Sequence, residues 1–423
     1  MKDRFCKLLL ILSACFFICG CEKKTPEAFE CSDPIGCVRI APGEPIRLGV
    51  IQALSGRVAA LGNEQLRGLE LALSASDDKI LGHRVELQIE DSGCTAEGGS
   101  VAAMKIAADP KILAIFGTTC SGAAATAAKV MSEAGLLMIS GNNSAPYLTS
   151  INGKKAPDWQ PGYFRTAQNE EYAGKAAAFF AYEKLGVRKA AVVNDGDIYT
   201  RGLTEGFHMI FEELGGKIVL DTAVNKGDDN MEPLILAVTA NSAQLLFFPL
   251  FQPEGNHIVR QISRMAENEK AVRDIILMSN GALIEKTFAA DVGEMAKGMY
   301  FVGPVRAEEN PETRRLTSVY TEQFQESPNT DYYLNAYDAA CLLFSAIEKT
   351  AVRDAKGNLF IGRGALRNEL YSTRSFPGVT AMLSCDSFGD CIVPRFHILR
   401  MDEPEKGIKG LRDNVLFTYG PAE

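Results

Sequence analysis

Between residues 46 and 140 the chain alternates between two hydrophobic periods, and no other feature limits its fold as strongly. Residues 46–51 form a short apolar run of strand length. Residues 64–76 then put Leu66, Leu69, Ala72 and Leu73 on one helical stripe. Residues 85–90 alternate as a strand, and the Ala-rich 100–108 reads as a helix. Residues 112–117, 123–134 and 136–140 read as strand, helix and strand. This βαβαβαβ order predicts a mostly parallel sheet covered by helices. After Phe164 the pattern restarts. Helices at 172–185, 203–214, 232–240 and 255–266 lead to strands at 190–194, 217–221, 245–249 and 275–279, and 299–302 is a further strand. Two separate α/β units follow, in keeping with the two or three domains that 423 residues predict. Helices at 311–326 and 335–350 must pack on one of them. The tail from Val379 carries short strands around a small cysteine loop.

Several function classes are excluded early. The formal charge is -9, there is one Trp and no long basic run, so a nucleic-acid groove is not expected. His83, His208, His257 and His397 are scattered without paired spacing, which argues against a metal site. No GxxxxGK[ST] loop and no GxSxG elbow occurs. Isolated acids such as Glu170 and Asp195 lack a nucleophile, base or metal to complete a catalytic set. Catalysis therefore has little support, and neither an enzyme nor a cofactor is expected.

The N-terminus points to export. Lys2, Arg4 and Lys7 precede an apolar stretch at 8–18, too short for a typical membrane span. It ends Ile18-Cys19-Gly20-Cys21, which resembles a bacterial lipobox. That resemblance implies a signal peptide at 1–20 and lipid on Cys21; a plain secretory signal cut elsewhere is the rival reading. The expected location is the surface of a bacterial membrane, facing the periplasm or cell exterior, with residues 21–45 as a lipidated tether. Cysteine usage agrees. Cys31 and Cys37, and Cys385 and Cys391, are spaced for local disulfides across tight loops. Cys341, in an apolar helical stretch, reads as a buried thiol.

Five segments, in order along the chain, carry a family resemblance. They are Gly49-Val50-Ile51-Gln52-Ala53-Leu54-Ser55-Gly56, Leu66-Arg67-Gly68-Leu69-Glu70-Leu71-Ala72, Gly135-Leu136-Leu137-Met138-Ile139-Ser140, Gly162-Tyr163-Phe164-Arg165-Thr166-Ala167 and Asn335-Ala336-Tyr337-Asp338-Ala339. From about Ile46 to the C-terminus the chain resembles the leucine/isoleucine/valine-type solute-binding proteins of bacterial ABC importers. The resemblance implies a type I periplasmic binding protein fold: two Rossmann-like lobes with parallel sheets, a three-strand hinge and a ligand cleft between them. Lobe one would be 46–168 plus 304–376, and lobe two 169–303 plus 377–423. It also implies a Cys94–Cys120 disulfide, and permease and ATPase subunits as partners.

The same resemblance assigns a ligand site. Ser121, at a helix start, matches a serine that binds the ligand carboxylate, a role compatible with capping that helix. Asn142, Asn143 and Ser144 match the second carboxylate-binding loop. Glu170, Tyr199 and Phe251 match cleft residues, and Leu61 stands where the family has an aromatic at the cleft mouth. One departure stands out. The family holds the ligand's ammonium on an acid near Ser279, where this chain has the neutral Asn280. Either Glu170 or an Asp of the 195–197 loop then supplies the charge, or the ligand is a small amide, an ω-amino acid or a carboxylic acid. The expected function is capture of a small solute, first of all an amino acid, for an ABC importer. The alternatives are a sensor of the same fold and, more remotely, an amide hydrolase.

Overall fold

The computed structural model describes residues 29–307 and 309–421. The expected signal peptide and Cys21 lie outside them. The chain starts with β1 (Cys37–Ile40) and β2 (Ile46–Gln52), then α1 (Ala59–Ser74), β3 (Lys79–Ile80), β4 (His83–Asp91), α2 (Ala96–Ala107), β5 (Ile112–Gly117), α3 (Ser121–Glu133) and β6 (Leu137–Ser140). A small hairpin, β7 (Ser150–Ile151) and β8 (Lys154–Lys155), precedes β9 (Tyr163–Arg165). The first sheet has the order β3-β4-β2-β5-β6-β9 and is parallel apart from the short edge strand β3. Helices cover both faces of its central strands, so β5 and β6 are buried at every residue and read as continuous apolar runs.

The second unit runs α4 (Glu171–Phe179), β10 (Lys189–Asn194), α5 (Ile198–Glu213), β11 (Lys217–Ala223), α6 (Glu232–Ala240), β12 (Leu245–Phe247), α7 (Glu254–Ala266), α8 (Lys270–Arg273), β13 (Ile276–Asn280), α9 (Lys286–Val292) and β14 (Tyr300–Pro304). The chain then returns to the first unit with α10 (Pro311–Phe324), α11 (Tyr332–Thr350), β15 (Ala351–Arg353), β16 (Leu359–Gly362), α12 (Arg363–Tyr371), β17 (Phe376–Pro377) and β18 (Met382–Leu383). It ends on the second unit with β19 (Phe396–Arg400), α13 (Gly407–Asp413) and β20 (Val415–Tyr419). The second sheet has the order β11-β10-β12-β13-β14-β19-β20, with β19 and β20 added antiparallel. Gly68 lets α1 lie directly on α11: a Cβ there would come within 2.5 Å of the Tyr333 carbonyl oxygen.

Two expected boundaries move. The tether was placed up to residue 45, but β1 pairs antiparallel with β16 and buries Val38 and Ile40 in the lobe-one core. Two inward apolar residues at strand spacing need such a partner. The last lobe crossing was placed at 376/377. Leu383, Cys385 and Cys391 instead lie in the lobe-one core with Phe164 and Leu370, so the chain crosses between Cys391 and Phe396. The three crossings bond to one another. Arg165 N–H donates to the Gly389 carbonyl at 2.9 Å, Arg395 N–H to Gln168 Oε1 at 2.7 Å, and Val305 N–H to the Arg395 carbonyl at 2.8 Å. Disulfides join Cys31 to Cys37, Cys94 to Cys120 and Cys385 to Cys391, and Cys341 is a half-buried free thiol.

Candidate functional site

In open parallel sheets the carboxyl ends of the strands, and the helix starts that follow, converge on a crevice. Here two such edges face each other. After β5, Thr118–Cys120 lead to Ser121 at the start of α3, and the Cys94–Cys120 disulfide pins this corner to the loop after β4. After β6 comes the loop with Asn142 and Ser144. From the other lobe, Tyr199 lies in the first turn of α5 after β10, Phe251 follows β12, and Glu285 follows β13.

Together they enclose a cavity of about 40 Å³. Leu61, Cys120, Ser121, Asn142, Ser144, Thr330 and Tyr332 line it from lobe one; Tyr199, Phe251, Ala282 and Glu285 line it from lobe two. The lobes are closed over it. Arg57 pairs with Glu254 across the mouth at 3.0 Å, Lys286 donates to the Pro328 carbonyl at 3.0 Å, and the Tyr147 hydroxyl donates to Glu205.

The two sides differ in chemistry. The lobe-one edge is a donor surface. Ser121 is buried; its Oγ accepts the Ala145 N–H at 3.2 Å, which leaves its hydroxyl proton available to donate. Asn142 is held by its own Nδ2, which donates to the Thr119 carbonyl at 3.0 Å. The start of α3 adds unsatisfied backbone N–H groups and the positive end of the helix. The lobe-two edge is aromatic and acidic. Tyr199 and Phe251 lie with ring centroids 5.2 Å apart. Glu285 Oε2 accepts from Gln252 Nε2 at 2.8 Å and from the Thr287 hydroxyl at 3.3 Å. Burial pushes the Glu285 carboxyl up to about 7.

Six of the nine residues expected in the site line this cavity: Leu61, Ser121, Asn142, Ser144, Tyr199 and Phe251. Asn143 does not, because its side chain turns into lobe one, where Oδ1 accepts from Thr118 N–H and the Tyr163 hydroxyl, both at 3.1 Å. Glu170 and Asn280 stand behind Tyr199 as its support. Asn280 Nδ2 donates to the Tyr199 oxygen at 2.6 Å, and the Tyr199 hydroxyl bonds to Glu170. Burial raises the Glu170 carboxyl to about 7, and its Oε2 has no partner, like Asn280 Oδ1. The loop acids are committed elsewhere. Asp195 Oδ1 accepts from the Thr200 hydroxyl at 2.5 Å; Asp197 caps α5 and pairs with Lys226 at 2.9 Å.

Glu285, Tyr332 and Thr330 are cavity residues that the sequence reading missed. The nearest signal was the missing acid at Asn280, which could have prompted a search a few residues downstream. Among the described residues no group of side chains is arranged to hold a metal ion.

Comparison with known proteins agrees with this geometry. A family model described as periplasmic binding protein matches residues 45–387. The Leu/Ile/Val-binding protein BraC3 of Rhizobium johnstonii is 26% identical over 324 residues, which cover 74% of this chain and 84% of that protein. Among solved structures, a leucine binding protein from Thermotoga maritima superposes with a TM-score of 0.73 at 22% identity, covering 85% of this chain and 96% of its own. A solute binding protein of an ABC transporter from R. palustris, in complex with benzoate, gives a TM-score of 0.69 at 20% identity, covering 89% and 96%.

Proposed function

The chain belongs to the periplasmic binding proteins, extracytoplasmic proteins that bind solutes rather than transform them, and we propose that its cleft captures an aliphatic α-amino acid for an ABC importer. One observation carries this reading: a single closed cavity has hydroxyl and helix-end donors on one wall and a carboxylate on the other, with Leu61, Tyr199 and Phe251 between. A zwitterion with an apolar side chain is the solute that uses all three, seated with the lobes further apart than here, since about 40 Å³ holds only a few water molecules. Its carboxylate meets Ser121 and the N–H groups at the start of α3. Its ammonium meets Glu285, which takes the part of the acid that is absent at Asn280. Tyr199 covers the ligand and is itself held in place by Glu170 and Asn280.

The names of the relatives support the amino-acid class, since BraC3 is a Leu/Ile/Val-binding protein. The benzoate complex of a structural neighbour keeps a carboxylic acid as the second reading, in which Glu285 is protonated and donates. Thermal unfolding against a panel separates the two. An aliphatic amino acid at 100 times its Kd adds about 2.7 kcal/mol and raises the midpoint. A rise with aromatic acids alone would replace the first reading with the second.

Delivery to a permease and its ATPase fits the family. Lipid on Cys21 would hold the protein at the membrane, with lobe one nearest the anchor because β1 is part of that lobe. Cys21→Ala should release it from the membrane fraction.

A further inference from the structure

A second cavity, of about 530 Å³, shares Gly281, Thr330 and Tyr332 with the cleft as a common wall. Its volume is in the range of small-molecule sites. Residues of all three lobe crossings line it, among them Gln168, Val305 and Val393. Part of its lining is apolar, with Ile284 and Leu399 from lobe two and Leu334 and Val379 from lobe one. Met382 and Val393 in its lining are 60% and 62% exposed, the two most exposed large apolar side chains among the described residues.

The polar part of the lining carries both signs of charge. Asp331 takes Arg306 through two bonds, at 2.5 and 3.1 Å, and Arg412 reaches the same carboxylate only at 3.9 Å. The Arg412 side chain is 17% exposed, so a guanidinium largely out of water has half a partner. Glu64 and Asp413 act on these two arginines from outside the cavity. Arg395 adds a third positive charge to the lining. Glu170, also in the lining, is 2% exposed, and its Oε2 accepts no hydrogen bond.

We propose that this hinge cavity is a second ligand site, for an organic carboxylate with an apolar body and a hydrogen-bond donor at its far end. The carboxylate completes the partners of Arg412, the body packs on the apolar lining, and the donor meets Glu170. A ligand fitted to the cavity as the closed lobes shape it binds the open form less well, so it favours closure.

The probe is 8-hydroxyoctanoate, titrated into the whole protein by calorimetry. Arg412→Gln and Val379→Trp, on different elements and each checked for an unchanged unfolding midpoint, should both weaken it by about tenfold or more. Octane-1,8-diol, which lacks the carboxylate, should bind at least about tenfold more weakly. Ser121→Ala should leave the probe's affinity unchanged, and the radius of gyration should fall as the probe saturates. The proposal is overturned if millimolar probe does not bind, or if the diol binds as well. It is also overturned if Ser121→Ala is the variant that removes binding, since the probe would then sit in the cleft. Closure coupling fails if the probe binds without a change in radius.

Discussion

In the proposed site Glu285 supplies the negative charge that Asn280 cannot. Its carboxyl is pushed up to about 7 by burial, which outweighs the lowering by its hydrogen bonds from Thr287 and Gln252, so an ammonium must meet it in the ionised form. The sign follows directly. Below about 7 the ligand has to displace a proton, so affinity for an α-amino acid should fall by up to about tenfold per pH unit on acidification. Titrations between pH 5 and 8 check this. Glu285→Gln should cost about 2–5 kcal/mol of binding and flatten the profile over that range. A variant that keeps both the affinity and the slope would remove Glu285 from the site. The sequence hid this residue for a physical reason. It lies five positions past Asn280, after a 3₁₀ turn at Gly281–Leu283, where a glutamate reads as an ordinary exposed helix start. Asn143 failed in the opposite way. Its loop position was legible, but the direction of its side chain depends on Thr118 and Tyr163, which are distant in sequence.

At the scale of elements, closure brings α5 against the turn at Pro146–Leu148. Gly202 sits in the second turn of that helix, where any residue but proline would favour the helix more. A Cβ there would come within 2.8 Å of the Pro146 ring across the cleft. Gly202→Val should therefore keep the unfolding midpoint unchanged or slightly raised while weakening the cleft ligand. Scattering should show lobes that no longer close on its addition. Equal affinity and full closure would mean that the lobes meet differently in solution. The elements themselves were largely legible, because buried parallel strands write continuous apolar runs and their helices write stripes. The predicted strand at 112–117 and helix at 232–240 coincide with β5 and α6. The ends were less so: α5 starts at Ile198, five residues before the predicted start, because its first turn is capped by Asp197 and carries the cleft residue Tyr199. β1 was missed because four residues of strand have meaning only beside β16, more than 300 residues away.

At the scale of the molecule, one buried ion pair ties the first and last crossings. Arg165 is fully buried; its Nε meets Asp390 Oδ1 at 2.5 Å, and its other nitrogens reach the Ala145 carbonyl and the Thr149 hydroxyl at 2.7 and 2.6 Å. Asp390 also accepts from Thr149 and Asn169, at 3.0 and 3.1 Å. It sits in the loop closed by Cys385 and Cys391, so that disulfide positions a hinge residue. Arg165→Met should cost about 3–5 kcal/mol, because it leaves Asp390 without its cation, and denaturant unfolding would read the loss. A change under about 1 kcal/mol would mean that water replaces the arginine. Such a pair could not be read from the sequence, since nothing marks Asp390 as the partner of a residue 225 positions earlier. The most direct test of the account is calorimetric titration of leucine beside its two halves, 4-methylpentanoate and isopentylamine. A cleft with donors on one wall and Glu285 on the other predicts that leucine binds and that each half binds at least about 30-fold more weakly. If 4-methylpentanoate binds as tightly as leucine, Glu285 holds no ammonium and the amino-acid reading is wrong.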